Sequence, residues 1–153
     1  MVDVRDVTRT YGSGPTATAA LRGVTFTIGE WQLVALRGRS GSGKTTLLNV
    51  VGGLDTPDGG TVRVAGQDVT AMGERERMRL RRETVAYIFQ SFGLLPVLSA
   101  AENVEVPLRL IRLNPRSAIS ASASYSSGGA DVVIELRDGR VVADGAQSDR
   151  TAG

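Results

Sequence analysis

Residues 38–46, GRSGSGKTT, decide how this sequence is interpreted. They fit the pattern Gly-x-x-x-x-Gly-Lys-Ser/Thr, with Gly38, Gly43, Lys44 and Thr45 at the fixed positions. Glycines let a backbone fold closely around an anion, because no Cβ blocks the approach. Consecutive amide N–H groups and the N-terminus of a following helix add positive potential. The stretch therefore predicts a phosphate-binding loop.

The segments on both sides of the loop support this prediction. Residues 33–36, LVAL, form a continuous apolar run, which predicts a strand buried on both sides. Residues 44–53, KTTLLNVVGG, predict a helix that turns Leu47, Leu48 and Val51 toward the core and ends at two glycines. A strand, the loop and a helix in this order form the frame in which the motif binds nucleoside triphosphates.

Three side chains at the end of the loop have expected contacts. Lys44 is expected to reach the β- and γ-phosphates, the Thr45 hydroxyl to ligate Mg²⁺, and Thr46 to lie near the α-phosphate. Backbone N–H groups supply the rest of the cradle. The predicted nucleotide-binding residues of the loop are Gly38, Ser40, Gly41, Ser42, Gly43, Lys44, Thr45 and Thr46.

Composition excludes several other kinds of site. The 153 residues, 41% of them hydrophobic, suit one soluble domain, and no apolar run approaches the roughly 20 residues that a bilayer demands. Without an apolar leader, we expect a cytoplasmic location. The absence of cysteine and histidine excludes disulfides, thiolate metal sites and histidine-based catalysis. A net charge of +2 does not indicate a nucleic-acid partner.

Further elements are predicted from hydrophobic alternation and turn signals. Strands are expected from Val2 onward and over 24–28, 61–66 and 85–90, with a turn over 9–14. The charged residues 73–82 predict a solvated helix, and the SAAE of 99–102 predicts the capped start of another. Asp138-Gly139 predicts the turn of a hairpin that joins 132–136 to 140–142.

A change in composition suggests the domain organisation. Residues 114–129, NPRSAISASASYSSGG, are rich in serine and small residues and are typical of a linker. We therefore divide the chain into residues 1–113, a linker or seam over 114–130, and a C-terminal hairpin of the same domain over 131–145.

Four segments, one of which begins with the loop, resemble the ATP-binding subunits of ABC transporters. They are RTYGSG (9–14), LRGVTFTI (21–28), GRSGSGKTTLLNVVGGLDTPDGGTVRVAGQDVT (38–70) and YIFQSFGLLPVLSAAENVEVPL (87–108). The branch they resemble serves lipoprotein release, macrolide export and cell division. The resemblance covers residues 2–110. It implies an α/β P-loop NTPase fold with a RecA-like core, an N-terminal antiparallel β subdomain and an internally truncated helical subdomain.

The resemblance also implies site residues, ligands and partners. Tyr11 would stack on adenine, and Gln90 would contact Mg²⁺ or the attacking water, which makes Gln90 and Lys44 the candidate catalytic residues. The ligands would be ATP and Mg²⁺. The partner would be a transmembrane permease contacted by residues 91–104, on the inner face of the cell membrane, and the family implies a homodimer.

The segments that such subunits need for hydrolysis are not found. The family supplies a signature loop, a Walker B strand ending in Asp-Glu, and a switch histidine. SSGG (126–129) is the only string that resembles the signature, and DVVIE (131–135) is the only Walker B candidate. The stretch DVVIELRDGRVVADG (131–145) instead resembles the hairpin that follows the switch histidine, so Asp131 and Glu135 are interpreted as hairpin residues.

The chain thus resembles a family member that lacks its middle, with a seam between Leu110 and Ala130. A degenerate gene, an erroneous gene model and an engineered deletion would each leave this sequence. Loss of central strands predicts an unpaired sheet edge, lowered stability and self-association.

Three functions remain open from the sequence. The first is an ABC-type ATP-binding subunit that energises export. The second is a nucleotide-binding remnant or regulatory pseudo-ATPase that does not hydrolyse ATP. The third is a small P-loop phosphotransferase, which would leave the segments around Tyr11 and Gln90 unexplained.

Overall fold

The structure is a computed structural model that describes residues 1–87, 97–99, 102–103 and 130–146. The chain divides into two compact units, Met1–Gly73 together with Ala130–Gly153, and Glu74–Gly129. The elements of the first unit are β1 (Val2–Tyr11), β2 (Thr18–Ile28), β3 (Val34–Arg37), α1 (Lys44–Val51), β4 (Gly59–Val64), β5 (Gln67–Asp68), β6 (Val132–Arg137) and β7 (Arg140–Ala146). The second unit contains α2 (Glu74–Glu83).

Alternating apolar residues build a four-stranded antiparallel sheet in the order β2-β1-β4-β5. Its inward side chains are almost fully buried, because residues two apart on a strand share one face; they include Val4, Val24, Phe26 and Val62. This sheet confirms the predicted antiparallel β subdomain. The predicted turn over 9–14 begins too early, since β1 continues to Tyr11 by pairing with Thr18 of β2.

A second sheet, ordered β3-β6-β7, carries the strand that leads into the loop. β6 runs parallel to β3 and antiparallel to β7, so the predicted C-terminal hairpin is confirmed. The predicted full burial of residues 33–36 is wrong, because these side chains are only half buried. In the described part of the chain β3 lies at the edge of its sheet. The unpaired edge expected from missing central strands stays a prediction.

Helix α1 packs on β1, β2 and β4 and places Leu47 and Val50 in the core. Leu48 was predicted to be buried as well, and this is wrong: it is 56% exposed. Successive helical residues are turned by about 100°, so Leu47 and Val50 share a face that Leu48 leaves. Val51 is half buried.

Two neighbouring leucines of α1 provide a direct check of this packing. Leu47→Ala is expected to lower the free energy of unfolding by about 2–5 kcal/mol, because it leaves a cavity at a side chain that is 2% exposed. Leu48→Ala makes the same chemical change on the exposed face and should cost less than about 1 kcal/mol. Urea unfolding of both variants measures the difference. Equal losses would contradict the orientation of α1.

The second unit contains the predicted charged helix. Arg79 pairs with Glu83 at 2.8 Å and Arg81 with Glu74 at 3.2 Å, while Leu80 is buried. Residues 85–87 are not in a strand, and the rest of the strand predicted over 85–90, including Gln90, lies outside the described residues.

The predicted helix cap at residues 99–102 is confirmed. The Ser99 N–H donates to the Glu102 carboxylate at 2.8 Å, and the Glu102 N–H donates to Ser99 Oγ at 3.3 Å. The linker over 114–129 lies outside the described residues. Among the helices that are described, none is both long enough and apolar enough to cross a bilayer.

Candidate functional site

The loop between β3 and α1 takes the backbone conformations that its glycines permit. Gly41 and Gly43 have φ values of 77° and 100°, in the left-handed region that other residues rarely adopt. A Cβ on Gly43 would also overlap the carbonyl oxygen of Ala20 in β2. Gly43 caps α1, and its carbonyl accepts the N–H of Leu47 at 2.8 Å. The loop therefore turns directly into a helix N-terminus, as predicted.

The Lys44 side chain folds back over the loop that precedes it. Its Nζ donates to the carbonyl oxygens of Gly38 and Arg39, each at 2.8 Å, and lies 3.4 Å from Ser42 Oγ. An ammonium held by two neutral carbonyls can exchange them for the oxygens of an anion, because charged acceptors form stronger hydrogen bonds.

The other predicted loop residues differ in exposure. Ser42 is buried, with 5% of its surface exposed, so its side chain belongs to the inside of the loop. Ser40, Gly41 and Thr45 are exposed, and Thr46 is half buried. The Thr45 hydroxyl is therefore open to a ligand at the start of α1.

A cavity of about 360 Å³ lies between the loop and the end of β6. It is lined by the loop residues 38–42 and by residues 135–138. The cavity shares Gly38, Ser40, Gly41 and Ser42 with the predicted phosphate cradle, whereas Lys44, Thr45 and Thr46 are not part of its lining.

Gly139, in the turn between β6 and β7, joins the hairpin to the loop. Its N–H donates to the Ser42 carbonyl at 3.1 Å, and its own carbonyl accepts the N–H of Arg22 in β2 at 2.8 Å. With a φ of 76°, Gly139 is also so close to β2 that an added Cβ would lie 2.7 Å from the Ala20 oxygen. The sequence predicts the turn but contains no local signal for this contact.

Tyr11 lies at the same end of the antiparallel sheet as the loop. It is the last residue of β1 and pairs with Thr18, while Gly43 of the loop lies against Ala20, two residues further along β2. The residue is 40% exposed. Tyr11 thus ends a strand rather than lying in the predicted turn, and the structure brings it to the loop's side of the sheet.

Tyr11 belongs to a group of four bonded residues, which we call the Arg9 cluster: Arg9, Tyr11, Asp55 and Asp58. Arg9 donates to Asp55 at 2.7 and 3.0 Å and to Asp58 at 2.8 Å. The Tyr11 hydroxyl donates to Asp55 at 2.7 Å, and the Arg9 guanidinium lies 4.8 Å from the centre of the Tyr11 ring. Sequence reasoning missed this cluster, because its bonds join residues 44 to 49 positions apart in the chain.

The cluster keeps both carboxylates charged at neutral pH. The Arg9 hydrogen bond, together with the N–H of Thr10, lowers the pKa of Asp58. Burial by itself would raise the pKa of Asp55, but hydrogen bonds from Tyr11, Thr56 and Arg9 outweigh it and the net shift is downward. The pKa of Arg9 is raised, chiefly by its bond to Asp58. The ion pairs therefore persist throughout the physiological range.

The two acids of the Walker B candidate segment, Asp131 and Glu135, have structural partners. Asp131 accepts the N–H of Leu33 at 2.6 Å, and Glu135 lies 3.4 Å from Arg137. Among the described residues no group of three acids, cysteines or histidines is arranged to hold a metal ion. Gln90, the other expected Mg²⁺ contact, lies outside the described residues.

The chain is similar in sequence to ATP-binding components of bacterial transport systems. A macrolide export ATP-binding/permease protein, MacB of Marinobacter nauticus, is 44% identical over 107 residues, which is 70% of this chain and 17% of that protein. A lipoprotein-releasing system ATP-binding protein, LolD of Anaeromyxobacter dehalogenans, is 45% identical over 111 residues, 72% of this chain and 46% of that protein. The chain therefore spans less than half of these relatives.

The fold is similar to solved ATP-binding cassettes. A dimeric post-hydrolysis structure of the cassette MJ0796 bound to ADP and Pi has a TM-score of 0.73 at 23% identity, and the alignment covers 97% of this chain and 100% of that one. This likeness confirms the predicted α/β P-loop NTPase fold. The family model described as ABC transporter matches residues 21–150, on both sides of the serine-rich segment, and on that evidence the chain belongs to the ABC transporter family.

Proposed function

We propose that this chain is the ATP-binding subunit of an ABC transporter and binds Mg-ATP to energise export through a membrane permease. The observation that supports this most is the loop at the start of α1. There the Lys44 ammonium bonds the carbonyls of Gly38 and Arg39 and lies 3.4 Å from the Ser42 hydroxyl, beside helical N–H groups. Tyr11 at the same end of the sheet provides an aromatic face for adenine.

The residues present fit ATP and Mg²⁺. Gly41 has open space where a Cβ would stand, so a phosphate can approach its backbone. Lys44 and the N–H groups of the loop would hold the phosphates, and the Thr45 hydroxyl would hold Mg²⁺, with Gln90 as the proposed second contact. When bound, the metal neutralises part of the triphosphate charge.

The proposed partners follow from the relatives. MacB is by name an export ATP-binding/permease protein and LolD the ATP-binding protein of a lipoprotein-releasing system. We propose a permease partner for this chain and a peripheral position on the inner face of the cell membrane. The dimeric cassette structures support a homodimer as the working form.

A second candidate, ATP binding without hydrolysis, is favoured by two observations. The chain contains no histidine, and its only Walker B candidate, residues 131–135, overlaps β6, the first strand of the hairpin. Hydrolysis requires a carboxylate or similar group that orients the attacking water. We therefore propose that residues 1–113 and 131–145 are parts of one cassette. Residues 114–130 join them at the position where the family has its hydrolytic segment.

Calorimetry with Mg-ATP, combined with a phosphate-release assay, tests both candidates. Both candidates predict saturable binding of Mg-ATP, and only the second predicts no phosphate release above the buffer rate. Turnover at about 1 per second or faster, as is common for enzymes, would overturn the second candidate and leave the first. Failure to bind Mg-ATP or inorganic triphosphate would overturn both.

A further inference from the structure

The Arg9 cluster connects Tyr11 to the far end of the helix that begins in the loop. Asp55 follows α1, and its N–H donates to the carbonyl of Asn49 in that helix at 3.2 Å. Its carboxylate accepts both the Tyr11 hydroxyl and the Arg9 guanidinium. Helix α1 therefore starts at Lys44, beside the loop, and is linked near its end to the tip of β1.

Arg9 is fixed in orientation on one face of the Tyr11 ring. Two of its nitrogens bond Asp55 and a third bonds Asp58, so the planar guanidinium has little rotational freedom. Its distance of 4.8 Å from the ring centre is that of a cation–π contact. A guanidinium in this place excludes a base from the same face of the ring.

We propose that Arg9 and Asp55 are positioning residues for base binding: they hold the Tyr11 ring in one orientation, close one of its faces and leave the other for a purine. This inference rests on the proposed function and deepens it. It assigns the part of the affinity that depends on the base to the Arg9 cluster, and the part that depends on phosphate to the loop. The physical gain is preorganisation, because a ring that is already fixed loses less entropy when a base stacks on it.

Two ligands separate these contributions: ATP, which has a base, and inorganic triphosphate, which does not. Arg9→Ala is expected to weaken ATP binding about five- to tenfold, part of the stacking contribution, and to leave triphosphate binding unchanged. Arg5→Ala is the matched control, because Arg5 lies on the same strand and pairs with Asp3 at 3.0 Å, but its side chain is 72% exposed. It should change neither affinity.

Milder variants test the geometry without removing the ring or the charge. The ATP affinity of Arg9→Lys should lie between those of wild type and Arg9→Ala, because an ammonium keeps the charge but lacks the planar, forked geometry of a guanidinium. Tyr11→Phe keeps the ring and loses the bond to Asp55, so ATP binding should weaken about threefold, the equivalent of one modest hydrogen bond. Adding Asp55→Ala to Tyr11→Phe should have a smaller effect than Asp55→Ala alone.

Several results would overturn the inference. Arg9→Ala could behave like Arg5→Ala, or it could bind ATP more tightly, which would mean that Arg9 occupies the face the base needs. An equal loss of ATP and triphosphate binding would show that the cluster only stabilises the fold. Additive effects of Tyr11→Phe and Asp55→Ala on ATP affinity would show that the Tyr11–Asp55 hydrogen bond does not contribute to base binding. Failure of the proposed function looks different: wild type would bind neither ligand, or Lys44→Ala would leave both affinities unchanged.

Discussion

Lys44→Ala is expected to weaken the binding of ATP and of inorganic triphosphate by the same factor, roughly 10- to 150-fold, the equivalent of one charge-assisted hydrogen bond of about 1.5–3 kcal/mol. In the structure the ammonium has two carbonyl partners at 2.8 Å, both from its own loop. It is thus already placed where an anion in the loop would meet it. The loss should be independent of the base, because Lys44 lies in the phosphate loop and not beside Tyr11.

Isothermal titration calorimetry at fixed ionic strength measures this effect. Arg39→Ala is the matched control, since it removes the same charge from the same loop, but only the backbone carbonyl of Arg39 contacts Lys44. Its effect should stay within about threefold, as expected for an exposed charge screened by solvent. Equal losses for the two variants would show that general positive charge, and not the geometry of the loop, attracts the phosphates.

The parts of this fold that were predictable are those that depend on neighbours in sequence. The loop conformation follows from three glycines and a lysine at fixed spacing, and the hairpin follows from Asp138-Gly139 between two apolar runs. The cap at Ser99 follows from Glu102 three residues later. In each case a local hydrogen bond or a required φ value limits the backbone to few conformations.

Other features depend on residues that are far apart along the chain. Helix α1 has eight residues, and Leu47, Leu48, Val50 and Val51 are all apolar, so periodicity alone cannot tell which of them face the sheet. The Tyr11–Asp55 bond joins residues 44 positions apart, and the bond between Leu33 and Asp131 joins residues 98 positions apart. No local pattern specifies such pairs. Consequently the loop was predicted from the sequence, whereas these long-range hydrogen bonds around it were not.

Gly139→Ala is expected to lower the free energy of unfolding by about 2–5 kcal/mol, the sum of about 1–2 for a left-handed alanine and about 1–3 for overpacking. The second contribution arises because the new Cβ would lie 2.7 Å from the Ala20 oxygen. Relief of that overlap must move the hairpin turn away from β2. The turn also donates to the Ser42 carbonyl, so the same movement should disturb the loop.

Gly66→Ala separates these two contributions. Gly66 has a φ of 78°, nearly that of Gly139, but no atom lies within 4 Å of its added Cβ. Gly66→Ala should therefore cost only about 1–2 kcal/mol in urea unfolding and leave triphosphate affinity unchanged. If Gly139→Ala costs no more than Gly66→Ala, the turn does not support the loop. If it costs more and triphosphate affinity also falls, a residue of the C-terminal hairpin shapes a phosphate site almost a hundred positions earlier in the chain.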